Sequence, residues 1–376
     1  MRNKPRLRVG LVGAGFMGRC HANAFRSAGG IFDLPAEIDL EMLADADEAL
    51  AEKNARELGF KRSTGDWRKL AADPDIGVVA ITAPNSLHEP IAMLAIDNGK
   101  PVYCEKPLAV DGEAAKRMTA AAEKANATTL VGFNFLSNPL IVLARDLVES
   151  GEIGDVTCFR GRHAEDYMSS GDSPHTFRTD PAGGGALADL GSHIIAMARY
   201  LVGPIIEVSG HLKTIHPMRP ASEGSRNQMP VEVDDVAYSH VRFDSGAVGF
   251  IEANWAASGK TMDLSFEITG SNGSIVFTQE RMNELRVWRR RQSRRLNGYT
   301  LIEAGPEHPP YGRFCPAPGH QLGFNDLKVI EVSRLIRAIV ESGDAFPDFR
   351  EAYRIQLAVD AIRRSSRERR WTEVSA

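Results

Sequence analysis

Apolar and polar positions follow two different rhythms along this chain. In the first third, short apolar runs alternate with stretches of helical spacing. "LRVGLVG" predicts a buried parallel strand, and "RCHANAFRSAG" a helix that stops at glycine. The pairing repeats in "DLEMLADAD" and "EALAEKNARELGF", in "IGVVAITAPN" and "LHEPIAMLAIDNGK", and in "PVYCEKPLAV" and "GEAAKRMTAAAEKAN". A last strand is "TTLVGFNF". Buried strands alternating with helices of this length predict an α/β domain with a doubly wound parallel sheet, helices on both faces.

After about Phe135 the rhythm changes. A helix, "PLIVLARDLVESGEIG", leads into "DVTCFRGRHAEDY", a polar loop and the apolar segment "GGGALADLGSHIIAMARYL". From about Ile205 to Leu301 residues alternate with period two, with turns at "DSG" and "SNG". That pattern predicts a mostly antiparallel sheet with one exposed face. Two helices, "VIEVSRLIRAIVESG" and "FREAYRIQLAVDAIRRSSRE", follow. We therefore expect a nucleotide-binding domain over 1–133 and a substrate-binding α+β domain over 134–376. The C-terminal helices would be free to pack back on the first domain.

Composition narrows the function classes. The chain has 376 residues, enough for two cores. A net charge of −4 argues against nucleic acid as a partner. The arginines from Arg286 to Arg295, around Trp288, then read as a solvated hairpin or a subunit contact. No apolar run approaches the ~18 residues of a membrane span. The apolar run in "MRNKPRLRVGLVGAGFMG" reads as a first strand, not a signal peptide. The four cysteines are scattered and match no metal spacing, which points to reduced thiols in a cytoplasmic protein without a metal site.

The candidate chemistry sits at strand ends. "GAGFMG" supplies Gly13, Gly15, Phe16, Met17 and Gly18 between a strand and a helix, the context a pyrophosphate-binding turn requires. Gly13 permits the tight turn, Gly15 lets a phosphate approach, and Gly18 lets helix and strand pack closely. Asp45, ending the second strand, is the acid for the adenosine ribose hydroxyls, with Asp47 a competitor two residues on. A carboxylate there repels a 2′-phosphate, which favours NAD over NADP. Pro84 and Asn85 would line the cofactor, with His88 opening the next helix. Glu105 and Lys106, before Pro107, stand at another strand end, where ligands of open α/β sheets bind. Asp189 and His193 lie four residues apart on an otherwise apolar helix, so both would project from one face.

In order and spacing, "GAGFMG", "TAPNSLH", "CEKPLA" and "GGGALADLGSH" resemble the Gfo/Idh/MocA family across essentially the whole chain. The resemblance implies an N-terminal Rossmann domain and a C-terminal domain whose open sheet often joins subunits, here in a homodimer or homotetramer. It implies a cis Lys106–Pro107 bond and a catalytic set of Lys106, Asp189 and His193. It implies an NAD-dependent dehydrogenase that oxidises a secondary hydroxyl of a neutral cyclic polyol or sugar, inositol-like or anhydro-sugar-like. Histidine suits a general base at neutral pH, a carboxylate one turn away can orient it, and lysine can bind the forming alkoxide. Either His193 or Lys106 could be the base. His163, Asp166, Tyr167 and His320 are candidates for substrate hydroxyls, beside Lys106, Asp189 and His193. Phe135 and Leu136 depart from the tyrosine and arginine common in relatives. Two other classes use the same features: a sugar lyase or glycosidase with tightly held NAD, and an NAD-binding regulator without turnover.

Overall fold

In the computed structural model, residues 4–290, 295, 297–343 and 345–375 are described. They form two compact units. One runs up to Ser137 and includes Gly323–Arg354; the other comprises Asn138–Leu322 and the stretch from Ile355 onward.

The first unit begins with β1 (Arg6–Val12), α1 (Phe16–Ile31), β2 (Glu37–Ala44) and α2 (Glu48–Leu58). It continues with β3 (Arg62–Thr64), α3 (Trp67–Ala72), β4 (Val78–Ile81) and α4 (His88–Asp97). Then come β5 (Val102–Cys104), α5 (Gly112–Ala125) and β6 (Thr129–Val131). The six strands pair in parallel in the order β3-β2-β1-β4-β5-β6. That is the doubly wound order, which reverses at β1 and β4 and opens a ligand crevice at their carboxyl ends. Val9, Leu11, Val78–Ile81 and Val102–Cys104 are buried, as strands covered on both faces must be.

Local details differ from expectation. α1 does not stop at glycine but runs through Gly29 and Gly30 to Ile31. Glycine costs a helix about 1 kcal/mol relative to alanine, and the buried Phe25, Ala28 and Phe32 offset that cost. β3 and α3 have no apolar run long enough to announce them. β5 is only three residues, because the chain turns at Glu105.

The second unit opens with α6 (Pro139–Glu149) and β7 (Val156–Ala164). After a long loop, a π-helical turn over Leu187–Gly191 leads into α7 (Ser192–Val202). The strands β8 (Ile205–Lys213), β9 (Met218–Pro220), β10 (Gln228–Pro230), β11 (Val236–Phe243) and β12 (Val248–Asn254) follow. They are succeeded by β13 (Asp263–Gly270), β14 (Gly273–Thr278), β15 (Glu284–Arg289) and β16 (Thr300–Glu303). In the first unit α8 (Phe324–Glu341) and the start of α9 (Phe349–Glu368) close the chain's return, and β17 (Thr372–Glu373) ends the second.

Nine strands form one sheet in the order β16-β15-β14-β13-β7-β12-β11-β8-β17. Its pairs are antiparallel except β7 with β12. β11 alternates strictly: Ala237, Ser239, Val241 and Phe243 are buried, while Tyr238, His240 and Arg242 face out. α7 packs on the covered face. A Cβ at Gly161 of β7 would lie 2.6 Å from Ile194, so glycine is what lets helix and sheet meet there. Of the basic stretch around Trp288, residues 291–294 and 296 lie outside the described residues; Arg289 pairs with Glu152 at 2.6 Å.

Candidate functional site

The glycine turn of the first unit joins β1 to α1. Gly13 has φ +91°, and its N–H donates to Ala44 O at 2.8 Å, tying the turn to the end of β2. Thr82 Oγ1 donates to Gly13 O at 2.6 Å and braces the turn from β4, a residue the sequence reading passed over. A Cβ at Gly18 would meet Gly13 O at 2.2 Å, whereas one at Gly15 would meet nothing within 4 Å. The first glycine turns, the third packs, and the middle one leaves room above the backbone. The first turn of α1 has no side-chain cap and no acidic residue, so its N–H groups favour an anion. Phe16 is 71% exposed there, its ring 5.8 Å from that of Phe324, with Met17 half-buried beside it.

The two acids after β2 divide. Asp47 caps α2 by accepting from Leu50 N at 2.9 Å. Asp45 is half-buried; its Oδ2 accepts from Asn54 Nδ2 at 2.9 Å and its Oδ1 from Ala46 N at 2.8 Å. Asp45 follows directly on Ala44, which holds Gly13. The turn and this carboxylate are therefore neighbours at the carboxyl edge of the sheet, a fit for the pyrophosphate and ribose of a dinucleotide.

Pro84 and Asn85 form the turn after β4, Pro84 exposed and Asn85 half-buried. His88 departs from its expected cofactor contact. It is buried, with Nδ1 2.9 Å from Pro107 O and Nε2 2.9 Å from Ala83 O. Both ring nitrogens face backbone carbonyls, and the one that carries the proton donates to its carbonyl, so the buried ring serves the strand-end turns rather than a ligand. Burial holds its pKa below the usual histidine value. Glu105 is likewise turned inward: Oε1 accepts from His21 Nε2 at 2.7 Å and from Lys328 Nζ at 2.6 Å. Burial alone would raise its pKa, but Lys328 and His21 hold it well below the carboxylate range. Lys106 is half-buried and its peptide bond to Pro107 is cis.

In the second unit, Gly183–Gly185 form a close-approach turn. Gly184 and Gly185 have φ +81° and +72°, and a Cβ at Gly183 would meet Phe177 O at 2.0 Å. The next segment is not the uniform α-helix that the four-residue spacing predicted, because Asp189 lies in the π-helical turn and His193 in α7. Leu187, Leu190, Ile194 and Met197 bury the apolar side, and His193 is only 7% exposed. Asp189 Oδ2 accepts from Tyr167 Oη at 2.7 Å and from Arg178 Nε at 3.0 Å. Desolvation of the phenol and the Asp189 charge push the Tyr167 pKa up, so the hydroxyl stays a donor although Tyr167 keeps 40% of its surface exposed. Arg178 was missed by the sequence reading. Its signal was the aspartate itself, since a carboxylate in an apolar segment calls for a cation.

Other candidates separate. His163 is 1% exposed, with Nδ1 3.1 Å from Leu190 O and Nε2 2.9 Å from Glu165 Oε1. Its ring centroid is 5.4 Å from that of His193, so it packs behind the site rather than presenting a free edge to a sugar. Asp166 Oδ2 accepts from Gly259 N at 3.1 Å, which shapes its loop. His320 is exposed, its Nδ1 3.2 Å from Ala317 O in its own turn. Phe135 and Leu136 are buried in the first unit, with Phe135 edge-on to Phe324 at 6.0 Å. No helix is long and apolar enough to cross a membrane, and no cluster of metal-ligating side chains is present among the described residues.

Known proteins share the sequence and the fold. Residues 7–133 match the oxidoreductase family with an NAD-binding Rossmann fold, and residues 141–276 match the GFO/IDH/MocA C-terminal domain. The chain is similar to levoglucosan dehydrogenase from Pseudarthrobacter phenanthrenivorans, 39% identical over 98% of both chains. It is 30% identical to scyllo-inositol 2-dehydrogenase (NAD(+)) from Bacillus subtilis over 72% of this chain and 73% of that one. A solved levoglucosan dehydrogenase in complex with NADH and levoglucosan superposes with a TM-score of 0.95 at 40% identity, covering 98% and 99% of the two chains.

Proposed function

The chain belongs to the Gfo/Idh/MocA family of NAD-binding oxidoreductases, and from that premise we propose that it oxidises a secondary hydroxyl of an anhydro sugar of the levoglucosan type. The observation that carries the substrate class is the similarity to levoglucosan dehydrogenase from end to end. The enzyme class itself follows from the family.

NAD, when bound, would supply the acceptor for the hydride of the carbinol carbon. The chain's own residues do the rest. Gly13, Gly15 and the start of α1 would hold the pyrophosphate, and Asp45 the ribose diol. His193 takes the hydroxyl proton; Lys106 hydrogen-bonds the oxygen as it becomes an alkoxide. Asp189, held by Tyr167 and Arg178, keeps a fixed negative charge one turn from His193. A fixed charge in a partly buried site stabilises the protonated imidazole without reorganising. Arg178, absent from the sequence reading, joins this set as the residue that holds Asp189.

The open face of the nine-stranded sheet supports a homodimer or homotetramer. Tyr238 stacks on Phe250 at 5.8 Å there, and Val248 is 51% exposed beside them. Such a patch marks an interaction surface. Four unpaired cysteines support a reducing, cytoplasmic setting.

The test is NADH absorbance with a panel of levoglucosan, other anhydro sugars, inositols and open polyols. Reduction of NAD with levoglucosan and its close analogues supports the reading. Release of a sugar fragment without NADH would point instead to a lyase using NAD transiently, and no turnover on any member to a regulator.

A further inference from the structure

Two adjacent aspartates, Asp234 and Asp235, are buried just before β11. Neither belongs to the set described above, yet each holds one of the elements that make it.

Asp234 Oδ2 accepts from Leu187 N at 2.8 Å, and its backbone carbonyl from Ala186 N at 2.9 Å. These amides open the helical segment that carries Asp189 and His193. Ala186, at the cap position, supplies no side-chain cap, so Asp234 does that work from another part of the chain. Gly185 makes the approach possible, since a Cβ there would lie 2.6 Å from Asp234 Oδ1.

Asp235 Oδ1 accepts from Trp255 Nε1 at 2.6 Å and from Arg219 Nη2 at 3.1 Å. Its Oδ2 accepts from Ile215 N and His216 N at 2.6 and 2.9 Å. Arg219 is fully buried. It donates onward to Met168 O at 2.9 Å, Ser170 O at 2.9 Å and Ser173 O at 3.4 Å. The loop after Tyr167 is thus strung on one guanidinium. The Trp255 ring meets the Tyr167 ring edge-on at 6.1 Å. A buried ion pair adds little to stability over apolar residues of the same volume. Its rigid fork instead fixes the directions of several carbonyls at once.

We propose that Asp234 and Asp235 are positioning residues for the dehydrogenase site. Asp234 fixes the start of the helix that presents Asp189 and His193. Asp235, through Arg219 and Trp255, holds the loop that aims Tyr167 at Asp189. The proposal rests on the reading of Asp189 and His193 as working residues.

The test compares Arg219→Lys, Tyr167→Phe and their combination, using the most active substrate of the panel. NADH binding, followed by fluorescence, reports on the first unit separately. Arg219→Lys should lower kcat on the order of 10- to 100-fold with NADH affinity unchanged. Adding Tyr167→Phe should cost little more, because both act through one link. Losses that multiply, or wild-type kcat in folded Arg219→Lys, overturn the proposal. Trp255→Phe keeps the packing, removes the N–H, and carries the same expectation should Arg219→Lys not fold. Asp234→Ala should lower kcat, and Asp234→Asn, which keeps an acceptor for Leu187 N, should recover most of it. Wild-type kcat in Asp234→Ala overturns the cap. Full turnover in His193→Ala overturns the underlying reading and the proposal with it. An inactive His193→Ala beside a fully active Arg219→Lys overturns the proposal alone.

Discussion

Lys328 Nζ lies 2.6 Å from Glu105 Oε1, with both side chains sealed from solvent. Lys328 comes from α8, whereas Glu105 directly precedes Lys106. His21 from α1 and Tyr103 from β5 complete the cluster, with the Tyr103 hydroxyl 2.5 Å from Glu331 Oε2. Burial alone would lower the Lys328 pKa, but the Glu105 and Glu331 charges keep it raised; burial raises that of Glu331. The cluster then pairs the Lys328 cation with the Glu105 carboxylate at its centre, and Glu331 accepts from Tyr103 beside them.

Lys328→Met should destabilise strongly, by about 3–5 kcal/mol, because it leaves Glu105 charged and buried without its cation. Adding Glu105→Gln to Lys328→Met should restore part of that loss, since both charges are then gone. Thermal or urea unfolding of the three variants checks this. A double variant less stable than Lys328→Met alone contradicts the account.

Much of the fold and part of the site were legible in the sequence, for identifiable reasons. Buried parallel strands are continuous apolar runs, and the glycines of the first turn have steric jobs that only glycine does. The place of Asp45 at a strand end, beside the glycine turn, was legible. Its rival Asp47 was separable only in three dimensions, where it caps α2. His163 and His88 misled because a sequence does not show which imidazoles are already surrounded by acceptors. Arg219 and Lys328 were invisible for the opposite reason. Each finds its partner through long-range packing, and periodicity carries no trace of that. The π-helical turn at Leu187–Gly191 escaped because apolar spacing does not distinguish it from α-helix over five residues.

Cofactor choice should rest on Asp45. Its carboxylate, oriented by Asn54, should accept from the ribose diol and repel a 2′-phosphate. Replacing Asp45 with serine and Ala46 with arginine removes the repulsion and adds a cation, so the ratio of kcat/KM for NADP to that for NAD should rise. Wild type that uses both cofactors equally well would contradict this.

Asp234 makes stability depend on pH. Burial raises its pKa to about 6, against the pull of Leu187 N and Arg363. The unfolded value is about 3.9. The folded state therefore holds the proton more tightly. The contribution is fully present below the unfolded value and is lost as pH rises through the folded one. Two units correspond to about 3 kcal/mol. Asp234→Asn does not titrate, so between pH 4 and 7 its stability relative to wild type should improve by roughly that amount. Urea unfolding across the range checks it, and two curves that stay parallel count against the assignment.

His193, Asp189 and Lys106 should divide the labour. If His193 takes the proton, His193→Ala should cost mainly kcat, on the order of 10²–10⁴-fold. NADH affinity should barely change, because the turn and Asp45 belong to the other unit. Asp189→Asn should cost less if the carboxylate only orients the ring, and as much if its charge stabilises the protonated imidazole. Tyr167 and Arg178 both donate to Asp189 Oδ2, as an ionised carboxylate allows, which favours the larger loss. Lys106→Met should damage substrate KM and kcat together, since in the proposed reaction its ammonium would meet the substrate oxygen before and during hydride transfer. Lys106 is also the rival base, and the pH dependence of kcat/KM separates the two. If the basic-side dependence of wild type survives in His193→Ala and vanishes in Lys106→Met, the base is Lys106 and the assignment of His193 fails.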